Sequence, residues 1–339
     1  MQTFAISREK YLPQLAAKRI FGLIRSEMDL VEAEYERQAK SNIQVINYLG
    51  DYIRSSGGKR VRPALLILSN YAVGGKGSEE NVVRLATVME MLHTATLVHD
   101  DIIDNASVRR SQSSVNARFG NQTAVLMGDW LYMSAFETSL HERSLEILDI
   151  LTRLTRKMTE GELIQLTMLG RLDITEDAYF DILKRKTAYL FSACCEICGL
   201  LGGISLEQQT ALREYGMNLG IAFQLADDAL DLTGDESVLG KAAGADLIEG
   251  KLTLPLILLM QKDPRVRELL AQIIRDGAYN NDSQGVIAEK LDSFEIITKV
   301  RRLAYDFAEK ARKNLDVLPK TEYRSALEVI PEYVIERSK

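Results

Sequence analysis

The sequence predicts an all-α protein, and three observations carry that prediction. No proline occurs between Pro63 and Pro255, a long stretch without that helix breaker. Apolar residues recur at three-to-four spacing almost throughout, the helical period, and alternating strand patterns bounded by turns are absent. A length of 339 residues with 46% hydrophobic and 27% charged residues is an ordinary globular composition, long enough for a substantial core.

Taken in order, helices are expected over about 10–26, 27–55, 61–74, 79–104, 121–141, 143–169, 176–202, 206–233, 253–273, 283–316 and 320–336. Three breaks interrupt this helical text. Ser55–Lys59 separates the second helix from the third, and Pro63 suits the first turn that follows. Asn105–Asn121 and Thr233–Gly250 form the other two, the latter with glycines at 234, 240, 244 and 250. With no repeat, low-complexity tract or linker, one domain over 1–339 is expected, residues 1–29 forming a peripheral N-terminal helix.

The helix over 79–104 organises the chain. Its apolar stripe runs through Val82, Leu85, Val88, Met89, Leu92 and Ala95, then delivers Asp100, Asp101 and Asp104. Positions 100 and 104 lie one turn apart on one face. Like charges at that spacing cost a helix roughly 0.2–0.5 kcal/mol per pair. With no Lys or Arg between them, the trio makes sense around a cation, and hard oxygens with room for phosphate and water suit Mg²⁺. An exposed acidic turn is the plain alternative. The device recurs in GIAFQLADDALD, where an apolar helical run ends in Asp227, Asp228 and Asp231. Two such trios in matching context are expected to face one another across one cavity, and the loops after them to overhang its mouth.

Cations complement these carboxylates. GGKRVRP at 57–63 places Lys59, Arg60 and Arg62 after a glycine turn and at a helix N-terminus, both favourable to anions. Arg109 and Arg110 follow Asp104. Lys186 continues the stripe of Leu190, Cys194 and Ile197, so its ammonium is expected to point inward unless it pairs, with the Thr187 hydroxyl beside it. Lys184 and Arg185 are expected to face solvent. Lys241 and Lys251 flank the glycine-rich loop, read either as a lid or as plain surface. His93 shares a helix face with Asp100, and Gln224 with Asp231. His99 and His141 are expected in the core. Cys194, Cys195 and Cys198 lie in one helical turn among apolar residues without a second C-x-x-C, so buried thiols are expected instead of a zinc or redox site.

Several function classes are excluded. A net charge of −6 is opposite to a general nucleic-acid footprint. No run of 18 uncharged apolar residues is present, so no membrane span is expected. The first twenty residues lack a charged-then-apolar leader, making the cytoplasm the expected compartment. There is no Ser-His-Asp arrangement, Walker loop or plausible cysteine nucleophile. Metal and positive charge without a nucleophile point to a substrate that carries its own diphosphate leaving group.

At DDIID with its following Arg-Arg, FQLADDALD, GGKRVRP and the Lys186-Thr187 pair, the chain resembles the trans-polyprenyl diphosphate synthases. The resemblance runs from about Leu30 to the C-terminus, and MLHTATLVHDDIID and NARFGNQTAVLMGDWLY are most similar to the long-chain octaprenyl or solanesyl type. It implies an all-α barrel of antiparallel helices around a deep central cavity, the isoprenoid synthase fold, usually as a homodimer. It implies that Asp100, Asp101, Asp104, Asp227, Asp228 and Asp231 hold Mg²⁺ on an allylic diphosphate. Arg109, Lys186, Thr187, Gln224 and Lys241 would contact that diphosphate, with Lys251 nearby. Lys59, Arg62, His93 and Arg110 would bind isopentenyl diphosphate, with Arg337 completing that site. Ser111 stands where the family usually has glycine, a departure that affects loop geometry. Ala95, Leu92 and Met89, on the approach to Asp100, would set product length. A small residue at 95 and a helix of about 30 Å imply a long product, released at a membrane surface and of the kind used for quinone side chains. Rival readings are a shorter-chain synthase, a terpene cyclase, a non-catalytic partner subunit and a plain helical scaffold.

Overall fold

The computed structural model describes residues 20–75, 77–110, 112–234, 243–280 and 282–336. Lys241, Arg337 and Ser111, and most of the peripheral helix expected over 1–29, lie outside these residues.

The described residues are helical almost throughout, as the proline distribution and apolar period require. In chain order the α-helices are α1 (Arg25–Gln38), α2 (Gln44–Ser55), α3 (Val61–Ala72), α4 (Glu79–Ile103), α5 (Val115–Phe119), α6 (Asn121–Ser139), α7 (Leu145–Met168) and α8 (Glu176–Leu183). After a π-helical segment, Lys184–Ala188, come α9 (Tyr189–Gly202), α10 (Leu206–Thr233), α11 (Ala245–Ile248), α12 (Leu254–Lys262), α13 (Val266–Asp276), α14 (Ser283–Ser293), α15 (Ile296–Asn314) and α16 (Glu322–Ile335). The only strands among the described residues are β1 (Val108–Arg109) and β2 (Gln112–Ser113), a two-residue antiparallel pair after the first aspartate trio.

Expected long helices divide where local chemistry outbids the helix. The span 27–55 breaks because Asn47 and Ser41 close a side-chain turn: Ser41 N donates to Asn47 Oδ1 at 2.7 Å and Asn47 Nδ2 to Ser41 O at 2.9 Å. Such local bonds compete with helical ones. The span 253–273 breaks before Pro264, which holds Asp263 extended at φ −131°, ψ 90°. The span 283–316 breaks at Glu295, whose φ is +53°.

The chain forms two compact units. The first comprises residues up to Thr155 with Leu190–Gly216 and Asn314–Val329. Here α4 packs against α1, α3 and α6. Its core holds Leu65–Leu68, Leu85, Met89, Leu92, Leu131, Phe191 and Tyr215, all essentially inaccessible. Cys194, Cys195 and Cys198 are buried free thiols in this core, and burial pushes Cys195 up to about 12. The second unit comprises Arg156–Tyr189, Met217–Lys313 and residues from Ile330. Its core gathers Tyr179, Leu225, Leu247, Leu256, Leu259, Leu270 and Val300.

Candidate active site

In the first unit, the fold of α4 fixes where its carboxylates lie. Ser78 caps the helix start, accepting from Asn81 N at 3.2 Å, and Glu79 and Glu80 fill the first turn. The aspartates come at the opposite end, where the helix dipole is negative and carboxylates are disfavoured. Asp100 and Asp104 are half-buried and Asp101 is buried. Arg109 takes up the Asp101 charge, donating from Nε at 2.8 Å and Nη2 at 2.5 Å to Oδ1. Asn116 draws the following loop over the helix end, its Nδ2 donating to the carbonyls of Asp101 at 3.1 Å and Ala106 at 3.2 Å.

The basic loop lies beside α4. Arg62 Nη1 and His93 Nε2 are 2.9 Å apart, and the Arg62 guanidinium rests over the Phe191 ring at 4.9 Å. Arginine only donates, so His93 Nε2 accepts and the ring is the neutral tautomer protonated at Nδ1. Burial, reinforced by the charges of Arg62, Arg110, Arg109 and Arg60, holds its pKa well below the usual histidine value. Arg110, at φ +51°, donates to the Gly57 carbonyl. The turn needs glycine at Gly57, whose φ is +69°, whereas a β-carbon on Gly58 would meet only the flexible end of Arg110. Arg60 is engaged by Glu32 and Glu90, and Lys59 is exposed. Ala95, Leu92 and Met89 are fully buried along α4.

In the second unit, α10 carries Asp227 half-buried and Asp228 and Asp231 buried. Asp228 Oδ1 accepts from Gln224 Nε2 at 2.9 Å, and Oδ2 accepts from the Tyr179 hydroxyl. Gln224 Oε1 in turn accepts from Thr187 Oγ1 at 2.9 Å. Burial first, then the charge of Asp246, pushes the Asp228 carboxyl up to about 8; Asp227 adds to this, while Tyr179 and Gln224 oppose it. Lys186 pairs with Glu162 Oε1 at 2.8 Å and also donates to Gln165. Its π-helical turn is an irregularity often found at functional sites. Lys251 pairs with Glu249 at 2.7 Å.

Three expectations are refined. Lys184 and Arg185 are only partly exposed, and Arg185 bridges Asp181 and Glu160. His99 is half-buried, 3.2 Å from the Val125 carbonyl and stacked on Tyr132, whereas His141 is exposed on the 3₁₀ turn after α6 and not in the core. Among the described residues, no three His, Cys, Asp or Glu side chains converge closely enough to hold a metal alone. Tyr179, Asn116, Asp246 and Glu90 contact or flank these groups but are not singled out by sequence spacing. Only Glu90 left a signal, as a lone carboxylate inside the apolar run of α4.

The polyprenyl synthetase family model matches residues 43–290. Octaprenyl diphosphate synthase of Escherichia coli K12 is 38% identical over 323 residues, covering 95% of this chain and 99% of that protein. The all-trans-nonaprenyl-diphosphate synthase (geranyl-diphosphate specific) of Rhodobacter capsulatus is 37% identical, covering 88% and 90%. The crystal structure of a polyprenyl synthase from Caulobacter crescentus CB15, complexed with calcium and isoprenyl diphosphate, superposes with a TM-score of 0.89 at 34% identity, covering 95% and 98%.

Proposed function

The chain belongs to the polyprenyl synthetase family, and from that premise we propose that it extends an allylic diphosphate with isopentenyl diphosphate units into a long all-trans polyprenyl diphosphate, using Mg²⁺. It is a prenyltransferase of the isoprenoid synthase fold. The observation that carries the long-chain reading is the near full-length likeness to an octaprenyl diphosphate synthase. The fully buried, small Ala95 on α4 supports it.

The donor set fits a hard divalent cation. All six acidic groups offer carboxylate oxygen. Burial first, then the charges of Asp246 and Asp227, raise the Asp228 carboxyl to about 8, and a cation held there would favour its charged form. A hard divalent cation held by these carboxylates would leave positions for phosphate oxygen and water. In this reading Asp100, Asp101, Asp104, Asp227, Asp228 and Asp231 carry the metal, which when bound neutralises charge on the departing diphosphate.

Arg109, Lys186, Thr187, Gln224 and Lys241 hold the allylic diphosphate, with Lys251 nearby. Lys59, Arg62, His93 and Arg110 hold isopentenyl diphosphate. Neutral His93 adds no positive charge of its own and orients Arg62 by accepting its hydrogen bond. Fixed donors of this kind stabilise charge as it develops and keep the two substrates in reacting order. The allylic carbon–oxygen bond breaks, and the terminal double bond of isopentenyl diphosphate forms the new carbon–carbon bond. A proton then leaves to an oxygen of the released pyrophosphate.

The whole chain acts as one catalytic domain in this reading, working in the cytoplasm. A second copy is proposed on the outer face of α6, where Leu126 and Met133 are 68% and 62% exposed beside Val125 and Leu140. Leu126→Glu is then expected to shift the protein towards monomer in sedimentation velocity. No described helix is long and apolar enough to cross a membrane, and the long product is released at a membrane surface. The test is incubation with farnesyl diphosphate, isopentenyl diphosphate and Mg²⁺, followed by dephosphorylation and chromatography. Heptaprenyl to decaprenyl alcohols are expected. Geranylgeraniol as the main species overturns the long-chain reading, and unconsumed isopentenyl diphosphate overturns the enzyme.

A further inference from the structure

Arg60 occupies a conformation that its residue type disfavours. Its φ of 49° and ψ of 36° lie in the left-handed region, which glycine enters freely and a β-carbon resists. Two glycines precede it, and a third would meet the same backbone need. An arginine there points to a task for the side chain.

The side chain spans two carboxylates. Nε and Nη2 reach Glu32 at 2.5 and 3.3 Å, Nη1 reaches Glu90 at 2.7 Å, and the guanidinium lies over the Tyr35 ring at 5.6 Å. Glu90 is the unusual partner: its side chain is 4% exposed, against 41% for Glu32. A carboxylate buried on an otherwise apolar stretch of helix is held there by its ion pair, and removing one partner leaves the other uncompensated. With both carboxylates upon it, Arg60 is not itself an anion ligand. Its place in the chain defines its use. Arg60 lies two residues before Arg62, and Glu90 one turn before His93. The Arg60–Glu90 and Arg62–His93 contacts therefore form two adjacent cross-ties between the start of α3 and the middle of α4. Arg110 holds the other side of the loop through the Gly57 carbonyl.

We propose that Arg60 and Glu90 are positioning residues that fix the Gly57–Arg62 turn on α4, and that they thereby set the affinity for isopentenyl diphosphate through Lys59 and Arg62. This rests on the assignment of Lys59 and Arg62 to that substrate. The test is steady-state kinetics of Arg60→Gly, Glu90→Gln and Glu32→Gln, varying each substrate in turn, with thermal melts to verify folding. Arg60→Gly is the sharpest variant because glycine suits the observed φ, so only the side chain is lost. Arg60→Gly and Glu90→Gln are each expected to raise KM for isopentenyl diphosphate about tenfold or more, with allylic KM and kcat within about threefold. Glu32→Gln is expected to have a smaller effect because Glu32 is itself half-exposed. Should Arg60→Gly not fold, Arg60→Lys, which keeps a charge without the two-sided fork, decides by the same split. A folded Arg60 variant with KM for isopentenyl diphosphate within about twofold of wild type, or with both KM values raised alike, overturns the inference. An inactive wild-type chain overturns the assigned reaction instead.

Discussion

Asp101 and Asp228 occupy the same place in their motifs, the second position of an Asp-Asp pair, and both are buried and already gripped. Arg109 holds one; Tyr179 and Gln224 hold the other. Asp100 and Asp227, the first positions, remain half-buried and nearer solvent. Asp100→Ala or Asp227→Ala is therefore expected to lower turnover by roughly 10²-fold or more while the circular dichroism spectrum is kept, because a charge-stabilising group is lost without a core contact. Near-wild-type product formation in either variant would remove the metal reading. His93 supports a separate prediction about stability. Its folded pKa lies well below its ordinary value, so as pH falls through about 6.5 the unfolded chain takes up a proton that the folded chain refuses. Stability is thus fully present above that pH and declines below it, by up to about 1.4 kcal/mol per pH unit for one proton. Urea titrations at pH 7.5 and 5.5 should show His93→Gln losing less stability across the interval than wild type.

Among the elements, α4 carries the widest range of groups. Along its length lie Met89, Glu90, Leu92, His93, Ala95 and the first aspartate trio, so small shifts of this helix move several of the proposed groups together. The π-helical turn at Lys184–Ala188 is a second device. It re-aims Lys186 and Thr187 relative to a regular helix, and Thr187 reaches Gln224 from it. Close helix contact depends on glycine at α10, where a β-carbon on Gly216 would meet the Phe191 carbonyl oxygen of α9 at 2.4 Å. That neighbour is backbone and cannot swing aside. Gly216→Ala is expected to cost about 1–3 kcal/mol of stability despite the better helix propensity of alanine, read as a lower urea midpoint. An unchanged midpoint would mean that the two helices separate at no cost.

At the scale of the whole molecule, the product is the observable that integrates the parts. Its length reports how far a growing tail extends from the aspartates, and Ala95 is the small, fully buried residue five positions before Asp100. Ala95→Tyr is expected to shorten the main product by several five-carbon units, as measured by chromatography of the dephosphorylated lipids. An unchanged chain length would place the limiting residue elsewhere. The helical class, the aspartate trios and the buried character of the cysteine turn were all legible from spacing. The role of Tyr179 was not, because its partner lies 49 positions away and the tyrosine looks like any apolar helical residue.

By itself the sequence determined the all-α class, the order of the motifs and the chemical type of every candidate group, since each depends on composition and on contacts within a few turns. Tertiary structure alone decided that Arg109 grips Asp101, that Tyr179 and Gln224 grip Asp228, and that Glu90 is matched to Arg60. It also decided that Ser41 and Asn47 split an expected helix and that Lys186 lies in a π-turn, paired to Glu162. The physical reason is the same throughout. Periodicity records which face of a helix is apolar, whereas the partner of a buried charge is chosen by packing among segments distant in the chain.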